Sequence, residues 1–137
     1  MSKYDEFLMA TAAIWSVASK AKRKQVGAVI AYDNRIISTG FNGTLPGLPN
    51  ECEDAAGKTL PTVMHAEANA ILFAAREGLA LDGCTIYTTL SPCVQCSKMI
   101  AGAGITRVVY VKPHSDTTGL DLLEDCGVDV EQINVEY

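Results

Sequence analysis

The sequence predicts a single α/β domain in which one sheet is covered by helices. Three observations carry that expectation. Across the second half, short apolar segments alternate with helical periodicity in the order strand, helix, strand, helix, strand, a pattern of right-handed crossovers onto a common sheet. The first half offers a helical stretch and then two apolar segments flanking Asp33-Asn34, a hairpin signature. A length of 137 residues with 48% hydrophobic composition allows a core that needs no disulfide staples.

The elements follow in order. Ser2 with Asp5 forms a capping-box pattern, and Phe7, Leu8, Thr11, Ile14, Trp15 and Ala18 recur behind it at helical spacing. Trp15 falls on the expected core face, and this helix is expected to end in the basic run that begins at Lys20. Residues 26–32 and 35–41 read as the paired strands of the hairpin. Residues 42–62 form a loop rich in Gly and Pro, of a length that is usually functional. From about Met64 the period returns to helical, with Ala68, Ile71, Leu72 and Ala75 on one side and Gly78 as the stop. A strand over 85–89 comes next. Ser91 can then cap, and Pro92 open, a helix that Gly104 ends. Residues 107–111 read as a strand buried on both faces. A short helix over 120–126, stopped by Gly127, and a last strand over 128–135 complete the chain.

Charge and cysteine usage narrow the partners. The net charge is −5, and a protein that grips polymeric nucleic acid usually shows a basic face. Lys20, Lys22, Arg23 and Lys24 form one small basic cluster, enough for a phosphorylated small molecule. No apolar stretch approaches the ~20 residues needed to span a bilayer. No export signal is read at the N-terminus, and five cysteines, two of them in C-x-x-C, suggest a metal centre in a reducing compartment. The expected location is the cytoplasm, with no membrane partner.

Two short motifs carry the chemistry. His65-Ala66-Glu67 opens one helical pattern, and Pro92-Cys93-Val94-Gln95-Cys96 opens another. Cys93 and Cys96 share one face of a first helical turn, where the positive end of the helix dipole favours thiolates. Three protein ligands with a carboxylate nearby is the plan of a catalytic zinc centre, whereas structural centres are closed by a fourth Cys or His. Two thiolates and a neutral imidazole cancel the zinc charge, so water there is less acidified than in an all-histidine centre and a base is useful. Glu67 is the candidate: it can take a proton from water, pass it to a ring nitrogen and later protonate a leaving amine. The joint spacing matches the H-x-E…P-C-x-x-C signature of zinc nucleobase deaminases. The alternative is a structural zinc completed by Cys52, Cys84 or Cys126, with Glu67 a surface residue.

With these residues in view, the chain resembles the deoxycytidylate deaminases of the cytidine deaminase-like superfamily. The resemblance runs through Ser19-Lys20, Gln25-Val26-Gly27-Ala28-Val29-Ile30, Gly40-Phe41-Asn42-Gly43, His65-Ala66-Glu67-Ala68-Asn69-Ala70-Ile71 and Ser91-Pro92-Cys93-Val94-Gln95-Cys96. It implies a three-layer α/β/α fold with a five-stranded mixed sheet, a homohexamer, and conversion of dCMP to dUMP. It also implies activation by dCTP and inhibition by dTTP, bound with Mg2+ near subunit contacts. Two departures are visible: Phe41 stands where the family usually has Tyr, and the loop before His65 offers only Cys52 for a second zinc. One zinc per chain is therefore expected.

The remaining candidates divide between binding and structure. Asn42 reads equally as a turn-former and as a sugar or regulatory-nucleotide ligand. The resemblance implies that the Ala66 N–H meets the pyrimidine carbonyl and that the Ser91 carbonyl accepts from the amine. Lys20 and Lys24 are the phosphate candidates, although each could simply complement a helix C-terminus. His114 lies in the loop after the 107–111 strand, where ligand contact is plausible. Gly43, Phe73 and Arg76 join Asn42 as candidates for regulation. Competing functions are deamination of cytidine, dCTP, cytosine, guanine or a tRNA adenosine, and a nucleotide-sensing or scaffold module without turnover.

Overall fold

The computed structural model describes residues 3–135. Helix α1 (Lys3–Ser16) precedes the hairpin of β1 (Gly27–Tyr32) and β2 (Arg35–Phe41). Two short strands, β3 (Gly43–Thr44) and β4 (Val63–Met64), pair antiparallel and close the base of the long loop. Then come α2 (Ala66–Arg76), β5 (Thr85–Leu90), α3 (Val94–Gly102), β6 (Arg107–Lys112), α4 (Thr118–Asp125) and β7 (Asp129–Gln132).

The five longer strands form one sheet in the order β2-β1-β5-β6-β7. β1 is antiparallel to β2 and β5, while β5, β6 and β7 are parallel, so the sheet is mixed. Asp33 and Asn34 turn the hairpin with φ of 49° and 63°, the two left-handed positions of a two-residue loop. Side chains then alternate with the pleat. Ala28, Ile30, Ile86 and Val108 pack under α2, α3 and α4, whereas Val29, Ala31, Tyr87 and Val109 pack against α1. The result is the expected three-layer α/β/α arrangement, with three helices on one face and one on the other.

Close backbone approach explains where the helix faces depart from expectation. A Cβ on Gly27 would lie 1.9 Å from the Ala12 carbonyl, so α1 sits almost on β1 and buries only a narrow stripe of Asp5, Leu8, Met9 and Ala12. Trp15, expected in the core, is instead 39% exposed and stacks on Phe41, ring centroids 6.2 Å apart and 6° from parallel. Phe7 and Ile14 are also exposed. On α2 Ala68 is buried as expected and Ile71 packs partly against the core, but Ala66, Ala70 and Ala74 complete the buried face while Leu72 and Ala75 are exposed. There a Cβ on Gly40 of β2 would meet the Ala66 carbonyl at 2.3 Å, leaving room only for alanine-sized side chains.

Several element ends differ as well. α1 stops at Ser16, before the basic run, because Val17, Ala18 and Ser19 each donate to the carbonyl three residues back and tighten the final turn. α3 is capped by Cys93, not Ser91, so Pro92 lies outside the helix. The Ser91 hydroxyl instead accepts from the His114 N–H at 2.7 Å. α4 begins two residues before the expected start, and β7 ends three before the expected finish. Ser2 of the capping-box pattern lies outside the described residues. Its partner Asp5 is 1% exposed and serves the core: it accepts from the Tyr87 hydroxyl at 2.6 Å and from two Arg107 nitrogens at 2.9 Å each. Arg107 also pairs with Glu131 at 3.0 Å. This cluster ties α1 to β5, β6 and β7. Asp5→Asn is expected to cost about 3 kcal/mol in a urea titration, because the half-buried Arg107 loses its bidentate partner.

Candidate active site and metal centre

α2 and α3 present their N-terminal ends to the same place. His65 is the N-cap of α2 and Cys93 the N-cap of α3, both with extended backbone and neither spending its side chain on its own helix. The two side chains are thereby free to face each other. His65 Nδ1 lies 3.5 Å from Cys93 Sγ and 3.4 Å from Cys96 Sγ. With bonds of about 2.3 Å to sulfur and about 2.0–2.1 Å to nitrogen, neighbouring ligands on a tetrahedral zinc stand roughly 3.5 Å apart. All three ligand atoms lie within 4.8 Å of one another, a spacing compatible with three corners of such a tetrahedron.

The electrostatics call for a cation. Burial, then the Glu67 and Cys93 charges beside it, hold the Cys96 thiol far above the ordinary cysteine range. Burial pushes the Glu67 carboxyl up to about 7, against hydrogen bonds to its own backbone and to Cys96 that act in the opposite sense. Such groups ionise together in a dry position only beside a positive charge. His65 is held below the ordinary histidine range, by burial first and by His114 second. Its outer edge is exposed toward the cleft. The surrounding protein still favours the neutral ring, the form that ligates. Among the described residues no fourth Cys or His joins the group. Cys84 sits in the core, Cys52 in the long loop and Cys126 at the end of α4. The donor set fits a zinc ion with an open fourth position.

The centre forms one wall of a cleft of about 200 Å³. His65, Ala66, Glu67 and Cys93 line it from the two helix starts, and Val26, Val63 and Leu90 make apolar walls. Asn42, Ser91 and His114 add polar atoms, and the exposed Arg23 and Lys24 stand at its rim.

The family described as "Cytidine and deoxycytidylate deaminase zinc-binding region" matches residues 1–112. The chain belongs to that family. It is 37% identical over 123 residues to the deoxycytidylate deaminase of Mycobacterium phage D29, covering 80% of this chain and 94% of that protein. It is 36% identical over 158 residues to the deoxycytidylate deaminase of Enterobacteria phage T4, covering 84% and 82%. The crystal structure of the dCMP deaminase from cyanophage S-TIM5, in complex with dCMP and dUMP, superposes with a TM-score of 0.94. It is 41% identical, covering 97% of this chain and 99% of that one.

For a member of this family, the structure places the candidate residues unevenly. Ala66, Ser91, His114, Asn42 and Lys24 reach the cleft, and Lys20 does not. Asn42 has both ends of its amide engaged: Oδ1 accepts from the Val26 N–H and Nδ2 donates to the Lys24 carbonyl, each at 2.8 Å. It pins residues 24–26 to the end of β2. His114 Nδ1 accepts from the Asp116 N–H at 3.2 Å, which leaves the proton on Nε2. Gly43 lies in β3, and Phe73 and Arg76 lie on α2, outside the cleft. Two charged cleft residues, Arg23 and Glu53, are not singled out by the sequence. Arg23 was one of four equivalent cations in the basic run. Glu53 sits in the aperiodic loop, where its Oε2 accepts from the Lys22 and Arg23 N–H groups at 2.9 and 3.3 Å and so fixes the loop that carries Arg23 and Lys24.

Proposed function

We propose that the chain is a zinc-dependent deaminase that hydrolyses dCMP to dUMP in pyrimidine deoxynucleotide metabolism. The observation that carries this reading is the meeting of His65, Cys93 and Cys96 beside the buried Glu67, in a pyrimidine-sized cleft rimmed by cations. The phage relatives and the S-TIM5 enzyme with dCMP and dUMP support the choice of nucleotide.

His65, Cys93 and Cys96 would hold a zinc ion, which when bound would supply Lewis acidity toward water in the cleft. Glu67 takes a proton from water in the cleft and delivers it to the ring nitrogen next to the amine-bearing carbon; it then takes the remaining hydroxyl proton from the adduct and passes it to the departing amine. Oxygen replaces nitrogen at that carbon, and ammonia leaves. The Ala66 N–H, the first of α2, donates to the pyrimidine carbonyl, and the Ser91 carbonyl accepts from the amine. Val26, Val63 and Leu90 keep bulk water from the ring. Asn42 and His114 border the sugar, and Lys24 with Arg23 meets the 5′-phosphate, where charge-assisted bonds are strongest.

The same reading includes activation by dCTP and inhibition by dTTP, each carried with Mg2+ by a region involving Asn42, Gly43, Phe73 and Arg76. It also includes a homohexamer in the cytoplasm. The exposed Phe7 and Ile14 of α1 and Leu72 and Phe73 of α2 support self-association. Among the described residues no helix is long and apolar enough to cross a membrane. Ammonia release measured with dCMP, cytidine, cytosine and an RNA hairpin tests the reading, with dCMP repeated with and without dCTP and dTTP. We expect dCMP to be the best substrate, with opposite responses to the two triphosphates. Deamination of cytidine or the hairpin in preference to dCMP would sink the nucleotide assignment, and a flat response would remove the regulation alone.

A further inference from the structure

We infer that the catalytic cleft continues into a cation-lined groove that takes the second and third phosphates of a deoxycytidine triphosphate, so that dCTP is a substrate of the same centre. This rests on the dCMP reading of the cleft and extends it.

The groove has a volume of about 510 Å³ and shares Arg23, Lys24, Val26 and Leu90 with the cleft. On its far side stands Lys112, which does not line the cleft, and Ser16 and Thr89 add hydroxyls. No Asp or Glu lines it. Among the described residues both ion pairs belong to Arg107, so the side chains of Arg23, Lys24 and Lys112 have no ion-pair partner, and Glu53, which holds the Arg23 backbone N–H, does not line the groove. Three cationic side chains along one groove, in a chain of net charge −5, are a local inversion of the protein's overall field. That inversion favours a ligand carrying several negative charges.

Strand register sets the span. Lys112 on β6 is the register partner of Leu90 on β5. On the other side of β5, the Gly27 N–H at the start of β1 donates to Thr89 Oγ1 at 3.2 Å, which brings residues 24–26 alongside Leu90. The two cationic banks therefore flank the end of β5, two strand spacings apart, or roughly 10 Å. This edge includes the carboxyl ends of the parallel strands β5 and β6, where α/β sheets commonly hold phosphorylated ligands. Arg23 and Lys24, common to both cavities, meet the first phosphate, and the chain then runs toward Lys112. The base stays where dCMP places it. Water adds to the amine-bearing carbon, the carbon–nitrogen bond breaks, Glu67 returns the proton, and dCTP plus water gives dUTP plus ammonia with the phosphates unchanged.

The test uses the zinc-loaded full chain and its Lys112→Glu variant, with each nucleotide supplied alone and dUMP and dUTP separated chromatographically. Wild type is expected to form dUTP with kcat/KM within about tenfold of that for dUMP formation. Lys112→Glu is expected to raise KM for dCTP roughly 5- to 10-fold and to leave KM for dCMP within twofold. Absence of dUTP while dUMP forms would overturn the inference. So would an equal loss for both nucleotides, since Lys112 would then serve the first phosphate. Failure of wild type to deaminate either nucleotide would instead overturn the dCMP reading, and the extension with it.

Discussion

Glu67→Gln is expected to retain one zinc per chain and to lose about 10²–10⁴-fold of its dCMP turnover. The substitution keeps the size of a side chain that is 4% exposed, so the wall of the cleft keeps its shape. It removes a buried carboxylate beside the metal ligands that can both accept and return a proton. His65, Cys93 and Cys96 are left as they were, with His65 Nδ1 already 3.5 and 3.4 Å from the two sulfurs, the spacing of neighbouring ligands on zinc. Elemental analysis and ammonia release on the same sample check both halves. Zinc retained with normal turnover would remove Glu67 from the chemistry, and loss of zinc would make it part of the metal's hold.

Gly119→Ala is expected to weaken zinc binding at least tenfold, read by competition with a chromogenic chelator. Gly119 is buried in the first turn of α4, against the loop that presents Cys93. A Cβ there would lie 2.5 Å from the Pro92 carbonyl oxygen, 2.8 Å from the Cys93 carbonyl carbon and 2.8 Å from Ser97 Oγ. Two of the three obstacles are backbone, so relief requires α4 or the ligand loop to move. Overpacking of this kind costs about 1–3 kcal/mol, and displaced ligands pass part of that cost to the metal. Gly102→Ala is the control. It lies in α3 with nothing near its Cβ position, and should be neutral or slightly stabilising. Equal zinc affinity in the two variants would show that the α4 contact does not position Cys93. Gly40 makes the matching contact on the other half of the centre, against the first turn of α2 that follows His65.

These glycines also show where the sequence was readable and where it was not. The strand positions and the hairpin turn were legible because alternation and the Asp33-Asn34 pair are local signals with one geometric meaning. The metal ligands and Glu67 were legible because a motif at two helix starts constrains direction as well as identity. The misplacement of Trp15 had a different source. Helical spacing assigns a residue to a stripe, but the width of the stripe is set by how near the helix lies to the sheet, and Gly27 sets that distance from a different element. Ser91 illustrates competition among caps: it satisfies the cap pattern, yet its hydroxyl is taken by the His114 N–H across the cleft. Lys20, Arg23 and Lys24 were indistinguishable in sequence, since which of them faces the cleft depends on the two bonds from Lys22 and Arg23 to Glu53, thirty residues away.

The ligands of the metal centre are far apart in the chain: His65 and Cys93 are 28 residues apart, with α2 and β5 between them. An ion shared by them is therefore a clasp as well as a reagent. It closes a long loop that the unfolded chain leaves open, and binds the folded form alone. At free zinc a hundredfold above its dissociation constant, that linkage is worth about 2.7 kcal/mol of stability. The organism's zinc supply would then govern the lifetime of the protein, as well as the number of working copies.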